Sequence, residues 1–236
     1  MTRRLHHAPL ADEGGSVTLD EAARRHARVL RLAVGAEVVL FDGAGGEADA
    51  RIVEVKERLV CEVGPRRAVP GPPQRVVLVY CMPKGNAKLD LAIRGATEVG
   101  VAAIHLAISA RSVARPSAEA FAKRLDRLER IAQEAARQSG RAAVPDVLPP
   151  APLAEVAARA PEAARRLVCA PGGGPIGGAG EVAWVVVGPE GGLSEAELAA
   201  LDAAGWARVS LGDTILRTET AATVAPALVA AALRGS

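Results

Sequence analysis

One stretch of the chain decides its fold class: residues 185–195, which read VVVGPEGGLSE. The stretch begins as a short apolar run typical of a buried strand, and a glycine-rich turn then leads to Ser194, which can cap a following helix. Ligands of open α/β sheets bind just beyond the carboxyl ends of such strands, where glycines let backbone amides approach them. A tight strand-to-helix connection without a ligand fits the same spacing.

A second stretch repeats this arrangement at residues 209–222, which read VSLGDTILRTETAA. A short strand passes through Gly212 into a helix that we expect to begin near Thr218, so the two turns would form two walls of one pocket. Thr218 and Glu219 also suit a helix cap and first turn, where an acid gains ~0.3–1 kcal/mol from the helix dipole. That explanation leaves Arg217 unaccounted for. Neither GxGxxG nor GxxxxGK[ST] occurs, so both nucleotide fingerprints are missing.

The segment around these stretches predicts an α/β domain. Residues 75–81 form an unbroken apolar run, as expected of a strand buried on both faces. Strands that alternate with helices indicate a mostly parallel sheet. The further predicted elements are strands at 102–108, 167–170, 183–187 and 208–211, and helices at 87–99, 117–139, 153–160, 195–204 and from about 218. Residues 172–180 contain six glycines and are interpreted as a flexible loop.

The first 70 residues are different in character and rich in β patterns. We predict a helix at 19–32 and strands at 37–41, 48–55 and 59–63, which together suggest a compact barrel-like domain. Residues 69–73 read VPGPP, and three prolines in five residues can continue neither a helix nor a central strand. The sequence therefore predicts two domains, 1–69 and 74–236.

Composition excludes several classes of protein. Half of the 236 residues are apolar, but every stretch of ~18 residues contains a charged residue or a proline, which argues against a membrane span. The N-terminus lacks the apolar run of a secretory signal. Cys61, Cys81 and Cys169 are widely spaced with no CxxC, so we expect no disulfide framework and no metal site, and a reducing cytoplasmic location.

Charge is distributed unevenly although its sum is only +2. Residues 111–145 contain eight Arg or Lys and four acids, whereas residues 181–236 contain three basic and seven acidic residues. This asymmetry indicates that one face meets an anionic partner. The two Trp, one Tyr and two Phe are too few for stacking on aromatic side chains to be a major mode of binding that partner.

The two glycine-rich stretches resemble the signature of the bacterial ribosomal RNA small-subunit uridine-N3 methyltransferases, members of the SPOUT superfamily of knotted methyltransferases. The matching residues are Gly188-Pro189-Glu190-Gly191-Gly192 and Leu211-Gly212-x-x-Ile215-Leu216-Arg217-Thr218-Glu219-Thr220-Ala221. Other blocks resemble the family in the same order along the chain: His26-x-x-Val29-Leu30-Arg31-Leu32-x-x-Gly35, Leu40-Phe41-Asp42-Gly43, Lys84, Lys88, Thr97-Glu98-Val99-Gly100, Arg111-Ser112 and Glu134-Ala135-x-x-Gln138-Ser139-x-Arg141.

The resemblance implies a fold and a cofactor. Residues 1–69 would form a PUA-like RNA-binding β-barrel, and residues 74–236 a SPOUT-type α/β domain whose C-terminal part forms a trefoil knot and pairs with a second copy in a homodimer. S-adenosyl-L-methionine would lie in the knot. The residues implied to bind it are Ala170, Pro171, Gly188, Pro189, Glu190, Gly191, Gly192, Leu211, Gly212, Ile215, Leu216, Arg217, Thr218, Thr220 and Ala221.

The activity implied is methylation of N3 of one uridine in small-subunit (16S) ribosomal RNA, either as free RNA or in the assembled subunit. Arg111 or Arg217 would face the uridine oxygens, and Glu98 or Glu219 would help to remove the N3 proton, although an acid beside an Arg is also a common structural ion pair. The residues implied to bind RNA are Arg4, His26, Arg28, Arg31, Arg137 and Arg141.

Two other functions remain open from the residues alone: a non-catalytic RNA-binding protein with a vestigial pocket, and a nucleotide-using transferase. The chain also departs from the family pattern at Leu5-His6-His7, where an aromatic pair is usual. Pro226 lies inside the predicted last helix, which we expect it to kink or end. His105 lies in an apolar strand and is expected to be a buried histidine with its polar atoms satisfied.

Overall fold

A computed structural model describes residues 3–71, 75–178 and 180–234. The chain divides into two compact units, one reaching residue 71 and including 136–144, the other containing 72–135 and everything from 145 onward. Pro72 and Pro73 of the predicted linker, and Ala179 of the predicted loop, lie outside the described residues. No helix of the described ranges is long and apolar enough to cross a membrane.

The first unit contains a five-stranded sheet that curls into a half-barrel, as expected of a PUA-like domain. Its order is β1-β3-β4-β5-β2, and β1 pairs with β3 in parallel while the other pairs are antiparallel. Alternation along β4 buries Ala48, Ala50 and Ile52 in the core of this unit. The strands are β1 (Arg4–His6), β2 (Ser16–Leu19), β3 (Glu37–Phe41), β4 (Gly46–Glu54) and β5 (Leu59–Ala68).

The helix of this unit, α1 (Glu21–Val29), is shorter at both ends than predicted. Leu19 belongs to β2, and the Asp20 side chain caps the helix by accepting a hydrogen bond from the Ala23 amide at 2.7 Å. Arg31 has a φ of 53°, in the left-handed region, so the predicted helical conformation does not reach Leu32.

The second unit contains a six-stranded, entirely parallel sheet, which confirms the predicted α/β class. The strand order is β11-β9-β10-β6-β7-β8. The strands are β6 (Arg75–Cys81), β7 (Ala103–Ile108), β8 (Asp146–Pro152), β9 (Arg165–Gly174), β10 (Val182–Val187) and β11 (Ala207–Val209). The helices are α2 (Asn86–Glu98), α3 (Ala118–Ser139), α4 (Leu153–Ala158), α5 (Glu195–Ala203) and α6 (Thr218–Arg234).

Helices cover both faces of the parallel sheet. Side chains at alternate positions of β6, such as Val77 and Val79, share a buried cluster with residues of α4 and α5. On the opposite face, α6 packs on β6 and β10, and α2 packs on α6. These two helices approach closely at Gly95, where an added Cβ would lie 2.1 Å from Thr223 Oγ1.

Two expectations about the second unit are wrong in part, and one of two alternatives is excluded for a third. Residues 172–174 are not a flexible loop but the end of β9, where Gly174 pairs with Val209 and an added Cβ at Gly173 would lie 2.5 Å from the Val209 carbonyl carbon. The final helix does not end at Pro226, which is buried within α6. His105 is buried as expected, but its Nδ1 has no hydrogen-bond partner among the described residues.

The cysteines are not joined. Cys61, Cys81 and Cys169 are free thiols, and burial raises the pKa of Cys61 to about 11. Such a thiol stays protonated and unreactive at neutral pH. Within residues 3–71, 75–178 and 180–234, no group of three or more His, Cys, Asp or Glu side chains could hold a metal ion.

Candidate functional site

The two glycine-rich stretches lie side by side at the carboxyl edge of the parallel sheet. One follows β10 and the other follows β11, and Thr218, the first residue of α6, joins them by donating its hydroxyl hydrogen to the Gly188 carbonyl oxygen at 2.8 Å. Thr218 is 5% exposed, so water does not compete strongly for this bond. The predicted pairing of the two turns in one site is consistent with this contact.

The Tyr80 hydroxyl contacts the Thr218 hydroxyl. Its oxygen lies 3.4 Å from Thr218 Oγ1, and burial is the main cause that raises the pKa of Tyr80 far above its ordinary value. The negative charges of Glu219 and Glu190 act in the same direction. Tyr80 is therefore protonated at all physiological pH values, and its hydroxyl oxygen lies within 3.4 Å of the Thr218 hydroxyl that donates to the Gly188 carbonyl.

The glycines of the two turns serve different purposes. Gly192 has a φ of +68° and Gly212 a φ of +129°, both in the region that favours glycine. Gly191 has no such requirement, and a Cβ added there would meet only Arg111, at ordinary contact distances of 3.5 and 3.6 Å. Apart from Arg111, no described atom lies within 4 Å of such a Cβ, so the backbone at Gly191 is open to close approach by a ligand.

The second turn offers unused hydrogen-bond donors. Gly212 donates to Ser210 Oγ at 3.3 Å, but the amides of residues 213–216 make no hydrogen bond to any described part of the protein. Ile215, in the middle of this run, is 95% exposed. Free amides beside an exposed apolar side chain can bind a ligand that has both polar and apolar parts.

Glu190 holds the first turn in place. Both of its carboxylate oxygens accept a hydrogen bond from the Lys84 amide at 3.1 Å, and Oε1 also accepts one from Lys88 Nζ at 2.6 Å. Burial alone would raise the pKa of Glu190, but these bonds outweigh it and lower the pKa. The side chain of this predicted cofactor residue thus anchors the turn to the segment before α2, a contact over 106 residues that the sequence did not reveal.

Arg111 approaches the same turn from the loop that follows β7. Its Nη1 donates to the Gly191 carbonyl oxygen at 2.7 Å, although the side chain is otherwise exposed. The structure therefore brings Arg111, one of the two arginines predicted to face the substrate, to the first turn.

Arg217 lies exposed just before α6. Its side chain makes no hydrogen bond or ion pair within the described residues, so it forms no structural ion pair with either nearby acid, Glu219 or Glu190. Glu190 is bound to Lys88, and Glu219 Oε2 is buried with no hydrogen-bond partner among the described residues. A buried carboxylate oxygen without a partner is costly, which makes it a candidate for interaction with a ligand.

Glu98 lies apart from this group. It is exposed at the end of α2, and four residues later the Ala102 amide donates to the carbonyl of Val76, the second residue of β6, at 2.7 Å. Glu98 is thus near the amino edge of the sheet, opposite the two turns.

The remaining predicted cofactor residues are placed around the turns. Strand β9 pairs with β11 at Val168 and again at Gly174, and the register shifts between these two positions. Ala170 and Pro171 lie in the interval. Leu211 and Leu216 are half-buried in the second turn, Ala221 is buried in α6, and Thr220 is exposed.

The residues predicted to bind RNA in the first unit fall into two groups. Arg28 and Arg31 are exposed, whereas Arg4 is largely buried and forms an ion pair with Glu47. Arg4 also donates to the Arg141 carbonyl oxygen at 3.1 Å. A second internal contact joins His26 Nε2 to Arg137 Nη1 at 2.6 Å. Burial lowers the pKa of Arg141.

Comparison with known proteins agrees with both units. Residues 70–230 match the family model of an RNA methyltransferase domain, and residues 19–63 match that of an RNA methyltransferase PUA domain. Fold and site therefore define an RNA methyltransferase class with two domains. Ribosomal RNA small subunit methyltransferase E of Mycobacterium tuberculosis is 38% identical over 92% of this chain and 86% of its own length, and that of Synechocystis is 33% identical over 99% and 78%.

A solved structure extends the comparison. Ribosomal RNA small subunit methyltransferase E from Neisseria gonorrhoeae, bound to S-adenosyl methionine, is 31% identical and superimposes with a TM-score of 0.88 over 96% of both chains. The chain belongs to the family of ribosomal RNA small subunit methyltransferase E.

Proposed function

We propose that the chain transfers a methyl group from S-adenosylmethionine to N3 of a uridine in small-subunit ribosomal RNA. The observation that carries the proposal is the joined pair of turns, in which Thr218 connects to Gly188 beside backbone amides that have no partner among the described residues. The cofactor bound to the relative from Neisseria gonorrhoeae supports the same ligand here. Uridine N3 as the acceptor rests on the resemblance of residues 188–192 and 211–221 to the uridine-N3 family.

The turns suit this cofactor. The bare backbone at Gly191 allows close approach, residues 213–216 offer amide donors, and Ile215 offers an apolar surface. Sites of this kind combine apolar lining with a few placed polar groups. When bound, S-adenosylmethionine supplies an electrophilic methyl group, whose bond to sulfur breaks with the electron pair remaining on sulfur.

We further propose that these turns belong to a trefoil knot.

Residues of the chain would accept the N3 proton of the uridine and stabilise the negative charge that its loss leaves. N3 must lose its hydrogen before it can bind the methyl carbon, and Glu219, whose carboxylate has an oxygen without a partner, accepts that proton. Negative charge then spreads over the two uridine oxygens. Arg217 has all its donors available and stabilises this charge. Arg111 keeps the first turn in shape through the Gly191 carbonyl.

RNA would be held by exposed arginines of the first unit. Arg28 and Arg31 make no side-chain hydrogen bond or ion pair within the described residues and can meet phosphates. Arg31 adopts the left-handed conformation at the end of α1, which costs an Arg ~1–2 kcal/mol relative to right-handed backbone and costs Gly almost nothing.

We also propose that two copies pair through the α/β unit. The helices α2 and α6 pack on each other and leave Leu91 and Leu228 exposed, at 50% and 40%. A second copy that covered this apolar surface would stabilise both chains. Light scattering at micromolar concentration should give twice the mass of one chain, and a monomeric mass would contradict the pairing.

Replacement of Gly191 by Ala tests the cofactor site. The added Cβ meets nothing closer than 3.5 Å in the protein, so the melting temperature should stay unchanged. Calorimetry should show at least about tenfold weaker S-adenosylmethionine binding, because the methyl group fills space that the ligand needs. Gly177→Ala, at a glycine with open space and no special φ, is the matched control and should bind normally. Normal binding by Gly191→Ala would place the pocket elsewhere.

Replacement of Arg217 by Ala tests the chemistry. If Arg217 acts on charge that develops only in the transition state, the single-turnover rate at saturating cofactor and RNA should fall by about two to three orders of magnitude. The melting temperature and both affinities should change little, because the side chain has no partner in the described structure. A normal rate would remove Arg217 from the mechanism and leave Arg111 as the candidate for this role.

Replacement of Arg31 by Gly tests the RNA surface. Gly relieves the left-handed backbone, so unfolding should require about 1 kcal/mol more free energy. RNA binding should nevertheless weaken, and the log–log dependence of affinity on salt should become shallower by about 0.7–0.9 for the lost phosphate contact. Arg58→Ala removes one charge from the same unit and should leave the salt dependence nearly unchanged. An unchanged salt dependence in Arg31→Gly would exclude Arg31 from the RNA surface.

A further inference from the structure

The loop that carries Arg111 is folded into a fixed turn. Ser109 and Ser112 are both buried, with exposures of 1% and 5%, and their hydroxyl oxygens lie 3.0 Å apart. The Ser112 amide donates to the Ser109 carbonyl at 3.1 Å. Arg115 Nη2 then donates to the carbonyl oxygens of Ser109 and Ala110 at 3.0 and 2.6 Å. This side of the turn is thus closed by its own residues.

The other side of the turn is held by Glu197 from α5. Its Oε1 accepts a hydrogen bond from the Ala110 amide at 2.7 Å, a contact between residues 87 apart in sequence. Its Oε2 accepts from the Ser194 amide and from the Ser194 hydroxyl, each at 2.8 Å, and so completes the capping box of α5. A capping box needs only one carboxylate oxygen. The second oxygen is therefore available for the turn that carries Arg111.

Charge strengthens this contact. Burial alone would raise the pKa of Glu197, but the hydrogen bonds from Ser194 and Ala110 and the positive charge of Arg111 outweigh it, and the pKa is lowered. The carboxylate is ionised at neutral pH, and a hydrogen bond from an amide to an ionised acceptor is stronger than one between neutral groups. Glu197 thus binds the first turn of α5 and the turn at 109–112 at the same time.

We infer that Glu197 is a positioning residue for cofactor binding: it holds the Ala110 amide so that Arg111 reaches the Gly191 carbonyl. The inference rests on the proposed function, because it takes residues 188–192 to be part of the S-adenosylmethionine site. One oxygen of Glu197 fixes the start of α5, which directly follows those residues, and the other fixes the turn that carries Arg111. The turn that carries Arg111 and the first glycine turn are thereby kept in register, and loss of Glu197 lets both move.

The test compares Glu197→Ala with Ser194→Ala. Both changes weaken the cap of α5, but only the first removes the acceptor of the Ala110 amide. Calorimetry should show S-adenosylmethionine binding about tenfold weaker in Glu197→Ala, the loss of one charge-assisted hydrogen bond, and within about twofold of wild type in Ser194→Ala. Hydrogen exchange of the Ala110 amide should accelerate in the first variant only.

A double variant tests whether Glu197 affects cofactor binding through Arg111 or independently of it. Arg111→Ala should weaken cofactor binding about as much as Glu197→Ala, and the two changes together should cost about tenfold, not about a hundredfold, because they break one chain of contacts. A hundredfold loss would show that Glu197 does not act through Arg111. Equal losses in Ser194→Ala and Glu197→Ala would reduce Glu197 to a helix cap, and unchanged exchange at Ala110 would also overturn the inference.

Two further outcomes are distinguishable. If Glu197→Ala fails to fold, Glu197→Gln retains a capping box while providing only one acceptor oxygen, and the same exchange and binding shifts are expected. If the wild-type chain binds no S-adenosylmethionine, the proposed function fails, whereas the exchange of the Ala110 amide still reports whether Glu197 holds the turn. Slow exchange in wild type and fast exchange in both Glu197 variants supports the contact in either case.

Discussion

The hydrogen bond from Thr218 to the Gly188 carbonyl is the constraint on which the site depends. Two turns that follow different strands are joined directly by this buried hydroxyl, and the Tyr80 hydroxyl lies next to it. The contact also fixes where α6 begins, and therefore where Arg217 and Glu219 lie relative to the glycines. Glu190 and Arg111 hold the first turn from two further directions, through Lys88 and through the Gly191 carbonyl. A rigid frame of this kind leaves the amides of the second turn free for a ligand.

The sequence predicted the elements that depend on local pattern. Strand β3 has the predicted bounds, and α3 begins one residue later than expected and ends where expected, because apolar periodicity reports directly on burial. Strand β8 was missed because it contains Pro149, Pro150 and Pro152, which normally argue against a strand. It lies at the edge of the sheet, where a strand needs hydrogen bonds on one side only and tolerates proline.

Features that depend on tertiary contacts could not be predicted. Gly173 is explained by the close approach of the Val209 backbone, which no local pattern reveals. The same holds for the site. The glycine turns and the presence of Arg111 were predicted, but the roles of Glu190 and Glu197 arise from partners 106 and 87 residues away. Glu98, which matched a family block, lies near the opposite edge of the sheet.

The central claim is that this chain methylates N3 of a uridine in small-subunit ribosomal RNA, and mass spectrometry of digested ribosomal RNA tests it most directly. Small-subunit RNA from cells that lack the gene should contain no 3-methyluridine at the position that carries it in normal cells. Restoring the wild-type gene should return the modification. The same amount of 3-methyluridine with and without the gene would contradict the proposed activity, and loss of a different methylated nucleoside would correct its substrate.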